Sequence, residues 1–587
     1  MQYVDELEAK VKQGGFFEKL IEDQLLNNPH RLTFVVSGDA NYAAEQAQLE
    51  ADKLARSQAK LTSEDQAKIY DDGLVLQKLQ DQKESLAVLP TLTMADVPPK
   101  TEVFPLTEKT FGGSTAGFIA KQPTNGLTYV RGALTLPDFP KDLLPYLPLY
   151  ASALTWMGTT KRDREKYALE VARYTGGIDV SPSVVVNPNG TAKTYSENNN
   201  CSIIRSDFNK GSLDVFFSAV SLNGNIPRAI ELLEDTLRNP SYADRDHLRN
   251  LIAREASSLS NSVADAGHNL AMKFAAAQLT APMALSEQLS GMTQVEFMEQ
   301  VAAQTDLDDV IAKLVQIHEA VIVNSTGRSS NTLRLLVTAE DVSVETEGLL
   351  HSLAGPFSSQ ATVSSISPSS TAALSPNNIN SNNNKNNNKT YFGLPVQVNF
   401  SSKAIRTVPL AHPDSVLLQI AARLMTNSFL HKEIREKNGA YGGGASAGGD
   451  GVFSFYSYRD PSSLKTVSVY DEAVHWFLRK GAFSDHEIDE AKLAVFGRID
   501  APVSPSDRGL TRFKFGITDE QRQQRRDVLR AATRADLVRS VEQHLATGAD
   551  AQAQTQAQEQ AQASVVLGTK PSDEFAAELK EKGWTVR

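Results

Sequence analysis

The sequence predicts an α+β fold with two similar domains behind a helical N-terminal region, and three observations lead to this prediction. The chain has 587 residues, well beyond the size at which a single hydrophobic core stops growing. Residues 1–95 are charged and poor in Gly and Pro over most of their length, a composition that favours long helices. Beyond them, one order of helices and strands occurs twice, which is typical of a duplicated domain.

The N-terminal region combines helices with one extended stretch and ends at prolines. Residues 31–36 are rich in β-branched and aromatic side chains and interrupt the predicted helices. Residues 89–99 contain three prolines, which cannot continue a helix. A new domain is therefore expected to begin near residue 100.

The repeated order is helix, glycine turn, strand, turn, helix, helix. A predicted strand at 127–136 precedes the first copy, which lies within a domain at 100–350. The first copy comprises residues 143–157, 175–177, 213–220, 226–237 and 244–259, the strand extending over 212–222. The second, within a domain at 391–587, comprises residues 414–435, 442–444, 452–458, 464–479 and 484–498. The repetition predicts two homologous α+β domains.

Two segments have biased composition. Residues 358–390 form a Ser/Thr/Pro tract that runs into an Asn-rich stretch, which cannot bury enough apolar surface to order itself. We predict a disordered insertion there, between the two domains. The Gln/Ala-rich residues 549–563 are expected to form either a helix extension or a loop.

Composition and charge exclude several classes of protein. With 59 Lys and Arg against 70 Asp and Glu, the net charge is −11, which disfavours nucleic-acid binding and suits basic peptides. No uncharged apolar run approaches the ~20 residues that span a bilayer, so membrane insertion is not expected. The single cysteine, Cys201, permits no intramolecular disulfide and no multi-cysteine metal site. It is expected to be a spare thiol in a reducing compartment. The acidic, helix-like N-terminus predicts no targeting peptide.

The densest group of candidate functional residues lies between His431 and Pro461. Residues 431–445 read HKEIREKNGAYGGGA, and residues 451–461 read GVFSFYSYRDP. This sequence closely resembles the C-terminal signature of presequence proteases, a branch of the pitrilysin and insulysin zinc metallopeptidases. The resemblance covers most of the chain outside the biased segments and includes LLPYLPLY at 143–150, MGT at 157–159, TGGIDVSPS at 175–183 and NPHR at 28–31.

The resemblance implies an architecture and a function. Enzymes of this family consist of two halves, each with two metallopeptidase-like α/β roll domains, joined by a helical hairpin and closed around a peptide-filled chamber. This chain resembles the hairpin, at 1–95, and the C-terminal half. The implied role is to clamp unfolded peptides while an N-terminal catalytic half, on the same or a separate polypeptide, cleaves them. The implied location is the mitochondrial matrix or a plastid.

The resemblance also assigns two catalytic residues, Arg435 and Tyr441, which would hold the substrate and stabilise the oxyanion. A guanidinium and a phenol are suitable donors to the negative charge that peptide hydrolysis develops. From position and chemistry alone, the favoured alternative is structural. In it, Arg435 pairs with Glu433 or Glu436, and Tyr441 packs against the sheet.

Three further residues are predicted to bind substrate. Gly439 lies among glycines that let a peptide approach the backbone closely, and Tyr458 and Arg459 end the strand that follows. For Arg459, a structural turn with Asp460 is an equally good interpretation.

No metal site is predicted in this chain. The family holds zinc with a helical His-x-x-Glu-His motif and a distal Glu, and the sequence contains no such motif. The zinc is therefore expected in the complete enzyme, with ligands outside this chain. His486 and Glu490 have helical i, i+4 spacing, but Ser484 and Glu487 predict a capping box at the same place. The glycine run 442–451 lacks the Lys-Ser/Thr of a phosphate loop and is predicted to be a turn.

Two alternatives stay open at this point. The chain could be a non-catalytic subunit that binds peptides or a partner protease, although the presence of Arg435 and Tyr441 favours catalysis. It could also be a truncated gene model of a full-length enzyme. Reading the upstream genomic sequence for a His-x-x-Glu-His open reading frame would separate these two.

Overall fold

The structure is a computed structural model. It describes residues 2–39, 41–81, 92–113, 115–137, 139–186, 212–322, 332–355, 388–462, 464–546 and 562–587. Cys201 and nearly all of the two biased segments lie outside these residues. The chain divides into two compact units, Met1–Leu89 and Pro90–Arg587. No helix within the described residues is long and apolar enough to cross a membrane.

The first unit is helical, as its composition predicts. Its helices are α1 (Gln2–Lys12), α2 (Phe16–Ile21), α3 (Tyr42–Gln58) and α4 (Ser63–Asp81), with a π-helical turn at Glu22–Leu26. A reciprocal cap begins α4, because Asp65 accepts the backbone N–H of Thr62 and the Thr62 hydroxyl accepts the N–H of Asp65. Residues 31–36 belong to no helix or strand.

The second unit contains two six-stranded sheets. The first sheet has the order β1-β2-β6-β3-β5-β4, and only β2 and β6 are parallel. Its strands are β1 (Thr107–Phe111), β2 (Thr115–Lys121), β3 (Leu127–Thr135), β4 (Ile178–Val185), β5 (Ser212–Leu222) and β6 (Thr332–Ala339).

The second sheet repeats this topology. Its order is β12-β7-β11-β8-β10-β9, with β7 parallel to β11 and β12 and the remaining pairs antiparallel. The strands are β7 (Lys389–Leu394), β8 (Asn399–Arg406), β9 (Gly442–Ala447), β10 (Val452–Asp460), β11 (Gln562–Thr569) and β12 (Thr585–Val586). Five strands of each sheet correspond in order and direction, and only the sixth differs. The predicted fold class, two homologous α+β domains, is confirmed.

Helices cover the sheets and enclose the cores. Those nearest the first sheet are α5 (Leu147–Trp156), α6 (Arg164–Tyr174), α7 (Ile226–Arg238), α8 (Arg245–Ala277), α9 (Ala281–Ser290), α10 (Met292–Ala302), α11 (Asp308–Val321) and α12 (Val344–Ala354). The remaining helices are α13 (Pro413–Met425), α14 (Leu464–Leu478), α15 (Asp485–Ile499), α16 (Leu510–Phe515), α17 (Asp519–Ala531), α18 (Arg534–His544) and α19 (Asp573–Glu581). One core lies between the first sheet and its helices, and a second lies between the second sheet and α13, α14, α15 and α18.

Helix α8 joins the two sheets. Its N-terminal part contributes Leu248 and Leu251 to the first core, and its C-terminal part packs Leu270 and Phe274 against the other face of the second sheet. Between them the helix is kinked at Ala266 (φ −139°, ψ 30°). The sheets are therefore held together by one continuous element, and the boundaries of the separate domains at 100–350 and 391–587 remain predictions.

Residues 504–516 make a second connection, which we name the strap. The Phe513 side chain at its end is 1% exposed and packs with Phe118 and Leu336 on the outer face of the first sheet. The Arg131 guanidinium of that sheet donates to the carbonyl of Ser506 at 2.8 Å. The strap follows α15 in sequence, so the part of the chain that carries the second sheet also covers the first.

Three local predictions were wrong. The glycine run 442–451 is not wholly a turn, because β9 takes up Gly442–Ala447. The absence of side chains there lets the strand lie against the preceding helix, since a Cβ on Gly443 would be 2.9 Å from Ile434 Cγ2. The predicted helix 414–435 is α13 followed by a π-helical segment, Thr426–Glu436. The biased segments end in order, because β7 begins at Lys389 and β11 at Gln562.

Candidate functional site

Arg435 lies in the last turn of the π-helical segment Thr426–Glu436. Its side chain is exposed, and within the described residues no hydrogen bond or ion pair engages its guanidinium. The pairing proposed by the structural alternative is absent, because Glu433 binds Lys437 instead, with Nζ and Oε1 2.8 Å apart. Arg435 therefore offers its donors to solvent or to a ligand.

Gly439 ends this segment with a left-handed backbone at φ +77°. Its N–H donates to the carbonyl of Arg435 at 3.1 Å, and the N–H of Ala440 donates to the carbonyl of Ile434 at 3.1 Å. Such a conformation is strained for any side chain with a Cβ. Gly439 thus sets the path of the chain from Arg435 to Tyr441, and a contact of Gly439 with substrate stays a prediction.

Tyr441 immediately precedes β9 and is 68% exposed. Its backbone N–H donates to the carbonyl of Arg459 at 3.2 Å. Its ring meets that of Tyr458 edge to face, with centroids 5.6 Å apart and planes at 78°. The structural alternative, in which Tyr441 is packed against the sheet, does not describe this position, since the ring has one aromatic neighbour and is otherwise open.

Arg459 sits at an irregular point of β10. The register against β8 shifts between Ser457 and Asp460, which is a β-bulge, and Arg459 has φ +49°. Its side chain is exposed, and its guanidinium carbon lies 5.4 Å from the centroid of Tyr458. Bulges re-aim side chains, and this one directs Arg459 along the ring of its neighbour.

Asp460 anchors the turn that the sequence suggested as an alternative. It is fully buried, its Oδ1 accepts the N–H of Ser462 at 2.8 Å, and its carbonyl accepts Asn399 Nδ2 at 3.0 Å. Burial raises the pKa of Asp460. No ion pair joins Arg459 to Asp460 among the described residues, so the turn and a free Arg459 guanidinium coexist.

His268 of α8 completes the cluster, and sequence reasoning missed it. Its ring lies 4.9 Å from that of Tyr458 at 76° and 5.6 Å from that of Tyr456. Burial lowers the pKa of His268, which favours the neutral ring. The only sequence signal was the adjacent Gly267, because a glycine inside a helix suggests a close approach. A Cβ there would be 2.5 Å from Phe400 Cδ2.

The described residues do not fit a zinc ion. Among them no group of three or more His, Cys, Asp or Glu side chains could hold a metal. His486 Nδ1 lies 3.7 Å from Glu490 Oε1 with both side chains largely exposed. The predicted capping box is confirmed, since Glu487 accepts the N–H of Ser484 and the Ser484 hydroxyl accepts the N–H of Glu487.

The arrangement is rich in donors. Two guanidiniums without ionic partners, Arg435 and Arg459, and the phenol of Tyr441 can all donate to oxygen atoms of a ligand. The β9–β10 register pairs Tyr458 with Gly442, so that Arg459 lies opposite Tyr441. Such a set can bind peptide carbonyls or carboxylates and can stabilise an oxyanion.

Comparisons with known proteins agree with the motif. A family model described as peptidase-associated matches residues 36–301, and the PreP C-terminal domain matches residues 389–546. The chain is 36% identical over 543 residues to "Presequence protease, mitochondrial" of Danio rerio, covering 91% of the chain and 51% of the relative. It is 33% identical over 543 residues to the protein of that name from Schizosaccharomyces pombe, covering 92% and 51%. The chain spans about half the length of the curated relatives it matches.

Solved structures bear on the fold alone. A protease from Helicobacter pylori aligns with TM-score 0.52 and 13% identity, and a conserved protein from Enterococcus faecalis V583 aligns with TM-score 0.53 and 11% identity. Each alignment covers 80% of this chain and 100% of the solved chain. Taken with the two family models and the relatives that match over nine-tenths of its length, these likenesses place the chain in the presequence protease family of zinc metallopeptidases, in the region that ends with the family's C-terminal domain.

Proposed function

We propose that this chain is the peptide-clamping half of a presequence-degrading zinc metalloendopeptidase. Arg435 and Tyr441 hold the scissile peptide and donate to the oxyanion, and Gly439, Tyr458 and Arg459 contact the peptide beside them. The observation that carries the proposal is that the Arg435 guanidinium and the Tyr441 phenol are both exposed and have no ionic or hydrogen-bond partner among the described residues. The relatives' printed name, presequence protease, supports the same activity.

The chemistry of these donors suits acyl transfer. Attack on a peptide carbonyl places negative charge on its oxygen, and donors fixed beforehand stabilise that charge without reorganising. The guanidinium stays charged at every physiological pH, and the phenol supplies a neutral donor. The two residues are fixed by the backbone, because Gly439 ends the π-helical segment and the Tyr441 N–H is bound to Arg459.

Zinc and the attacking water belong to another part of the enzyme in this proposal. The described residues of this chain offer no fitting ligand set, so no catalytic step is assigned to zinc here. The partner is an N-terminal catalytic half, on the same or a separate polypeptide, and the substrate is an unfolded peptide enclosed by the two halves. We place the activity in the mitochondrial matrix rather than a plastid, because the relatives are named mitochondrial.

The test is reconstitution. We expect the purified chain alone to lack zinc and peptidase activity, and a mixture with the N-terminal half of a presequence protease to show both. A mixture that binds peptides but cleaves none would support the alternative, a non-catalytic peptide-binding or partner subunit. Zinc-dependent cleavage by the chain alone would contradict the assignment.

Substitutions test the two donors. Removing one oxyanion donor lowers kcat by about 10²- to 10³-fold in well-studied enzymes, so we expect Arg435→Ala and Tyr441→Phe to do so in the reconstituted enzyme with unchanged circular dichroism. Arg479→Ala is the control, because it removes an exposed Arg after α14 in the same part of the chain. Unchanged turnover in both donor variants would refute their assigned role.

A further inference from the structure

The backbone of Arg459 is held in a conformation that disfavours arginine. Among the described residues, the non-glycine residues with positive φ are Asn125 and Arg459. Asparagine tolerates the left-handed region, whereas a longer side chain there is unusual and costs free energy. The conformation is enforced by the β-bulge, by the N–H of Tyr441 on the Arg459 carbonyl, and by the burial of Asp460.

The cation so placed lacks a counter-charge. Asp460, its immediate neighbour, is buried and directed to Ser462. Glu433, on the helix before Tyr441, is bound to Lys437. Arg435 adds a second unpaired guanidinium on the other side of Tyr441 in the chain. The charges that the site presents are therefore positive, although the whole chain carries −11.

Aromatic rings form the floor beneath this cation. Tyr458 receives the Arg459 guanidinium on its ring at 5.4 Å and is itself wedged by His268, at 4.9 Å, and by Tyr441, at 5.6 Å. A guanidinium stacked on a ring retains its outer N–H donors and loses part of its freedom. Because the stacked fork is already oriented, binding a planar anion to it loses less entropy than ordering a free side chain.

We infer that Arg459, stacked on Tyr458, binds a carboxylate of the peptide that lies across Tyr441. The inference rests on the proposed function and adds the chemical group that this part of the site recognises. A planar carboxylate fits the guanidinium fork with two parallel hydrogen bonds. The carboxylate can come from the peptide's own C-terminus or from an acidic side chain, and the experiment distinguishes these sources.

The experiment measures binding of three fluorescein-labelled, ten-residue unstructured peptides to the full chain by anisotropy. The first has no acidic residue and a free C-terminal carboxylate. The second is its C-terminal amide. The third is the amide with one internal Glu. One charge-assisted hydrogen-bond pair corresponds to about tenfold in affinity, so we expect the free acid to bind about tenfold more tightly than the amide.

Variants locate this preference. Arg459→Asn removes the guanidinium and suits the left-handed backbone, so the preference for the free acid should disappear while the amide binds as before. Arg459→Lys keeps the charge and loses the fork, and should retain part of the preference. Arg479→Asn, the matched control, removes the same charge elsewhere and should keep the full tenfold ratio. Equal melting temperatures establish that the variants are folded.

Each outcome decides a point. If the internal Glu restores affinity in the third peptide, a carboxylate from either source is bound; if it does not, recognition is confined to the chain end. Equal affinity of acid and amide for the wild-type chain, or an undiminished preference in Arg459→Asn, would overturn the inference while leaving the proposed function intact. Failure of the wild-type chain to bind any of the peptides would instead refute the proposed clamp, and the inference with it.

Discussion

The contact between Gly267 and Phe400 yields a prediction whose size follows from the structure. Helix α8 crosses β8 so closely that a Cβ on Gly267 would lie 2.5, 2.8 and 2.9 Å from three ring atoms of Phe400. The ring is fully buried and has no open space into which to move. Gly267→Ala should therefore overpack this contact, which costs about 1–3 kcal/mol in well-packed cores.

An opposing effect must be subtracted. Alanine is favoured over glycine within a helix by about 1 kcal/mol, so the net destabilisation should reach at most about 2 kcal/mol. Gly497→Ala, in α15, is the matched control because nothing lies within 4 Å of its Cβ position. It should stabilise the protein by up to about 1 kcal/mol. Since both variants share the helix effect, the difference between them isolates the contact, at about 1–3 kcal/mol.

The measurement is urea unfolding of the whole chain followed by tryptophan fluorescence. A smaller ring-site side chain should relieve the clash, so Phe400→Leu combined with Gly267→Ala should destabilise less than the sum of the single variants. If Gly267→Ala and Gly497→Ala behave alike, the close approach of α8 to β8 is wrong. The placement of His268 against Tyr458 would then lose its support.

The remaining predictions concern buried charges and the strap. The Arg539 guanidinium, at 2.7 Å, and His544 lower the pKa of Asp414 to about 2 from 3.8; its folded-state pKa is depressed, so on the order of 2 kcal/mol of stability is present above pH 4, is lost as the pH falls toward 2, and should be absent in Asp414→Asn. Arg162→Met leaves Asp235, 2% exposed and ion-paired with Arg162, as an unbalanced buried charge, which should cost about 3–5 kcal/mol in urea unfolding. Phe513→Ala should cost about 3–5 kcal/mol and accelerate tryptic cleavage within residues 504–516; unchanged cleavage would mean that the strap is held by its polar contacts.

The elements with strong periodicity were predictable from the sequence. The strand expected at 212–222 is β5 (Ser212–Leu222), and the helix expected at 226–237 is α7 (Ile226–Arg238). The capping box at Ser484 also forms as expected. These features depend on residues that are close in sequence, where side-chain periodicity and capping hydrogen bonds are decided locally.

The features that were missed depend on residues that are distant in sequence. Gly443 and its neighbours form an edge strand because Ile434 and Tyr456 leave no room for side chains, a fact absent from the run of glycines itself. His268 joins Tyr458 from nearly two hundred residues away. The signature around Arg435 and Tyr441 was visible because it is contiguous, whereas the helix that supports it was invisible because nothing in α8 names its neighbour.

The duplicated topology locates what distinguishes the site. Strand β5 of the first sheet pairs with β3 from Leu127 to Thr135 without a register shift, whereas the corresponding strand of the second sheet, β10, has a bulge before Asp460. That bulge turns Arg459 onto Tyr458 and presents the carbonyl that holds Tyr441. Regular pairing of the kind seen in the first sheet would send successive side chains to alternate faces and would provide no such seat. We therefore attribute the candidate site to a local irregularity added to one copy of a repeated fold, and expect the first copy to support the structure without binding peptide in the same way.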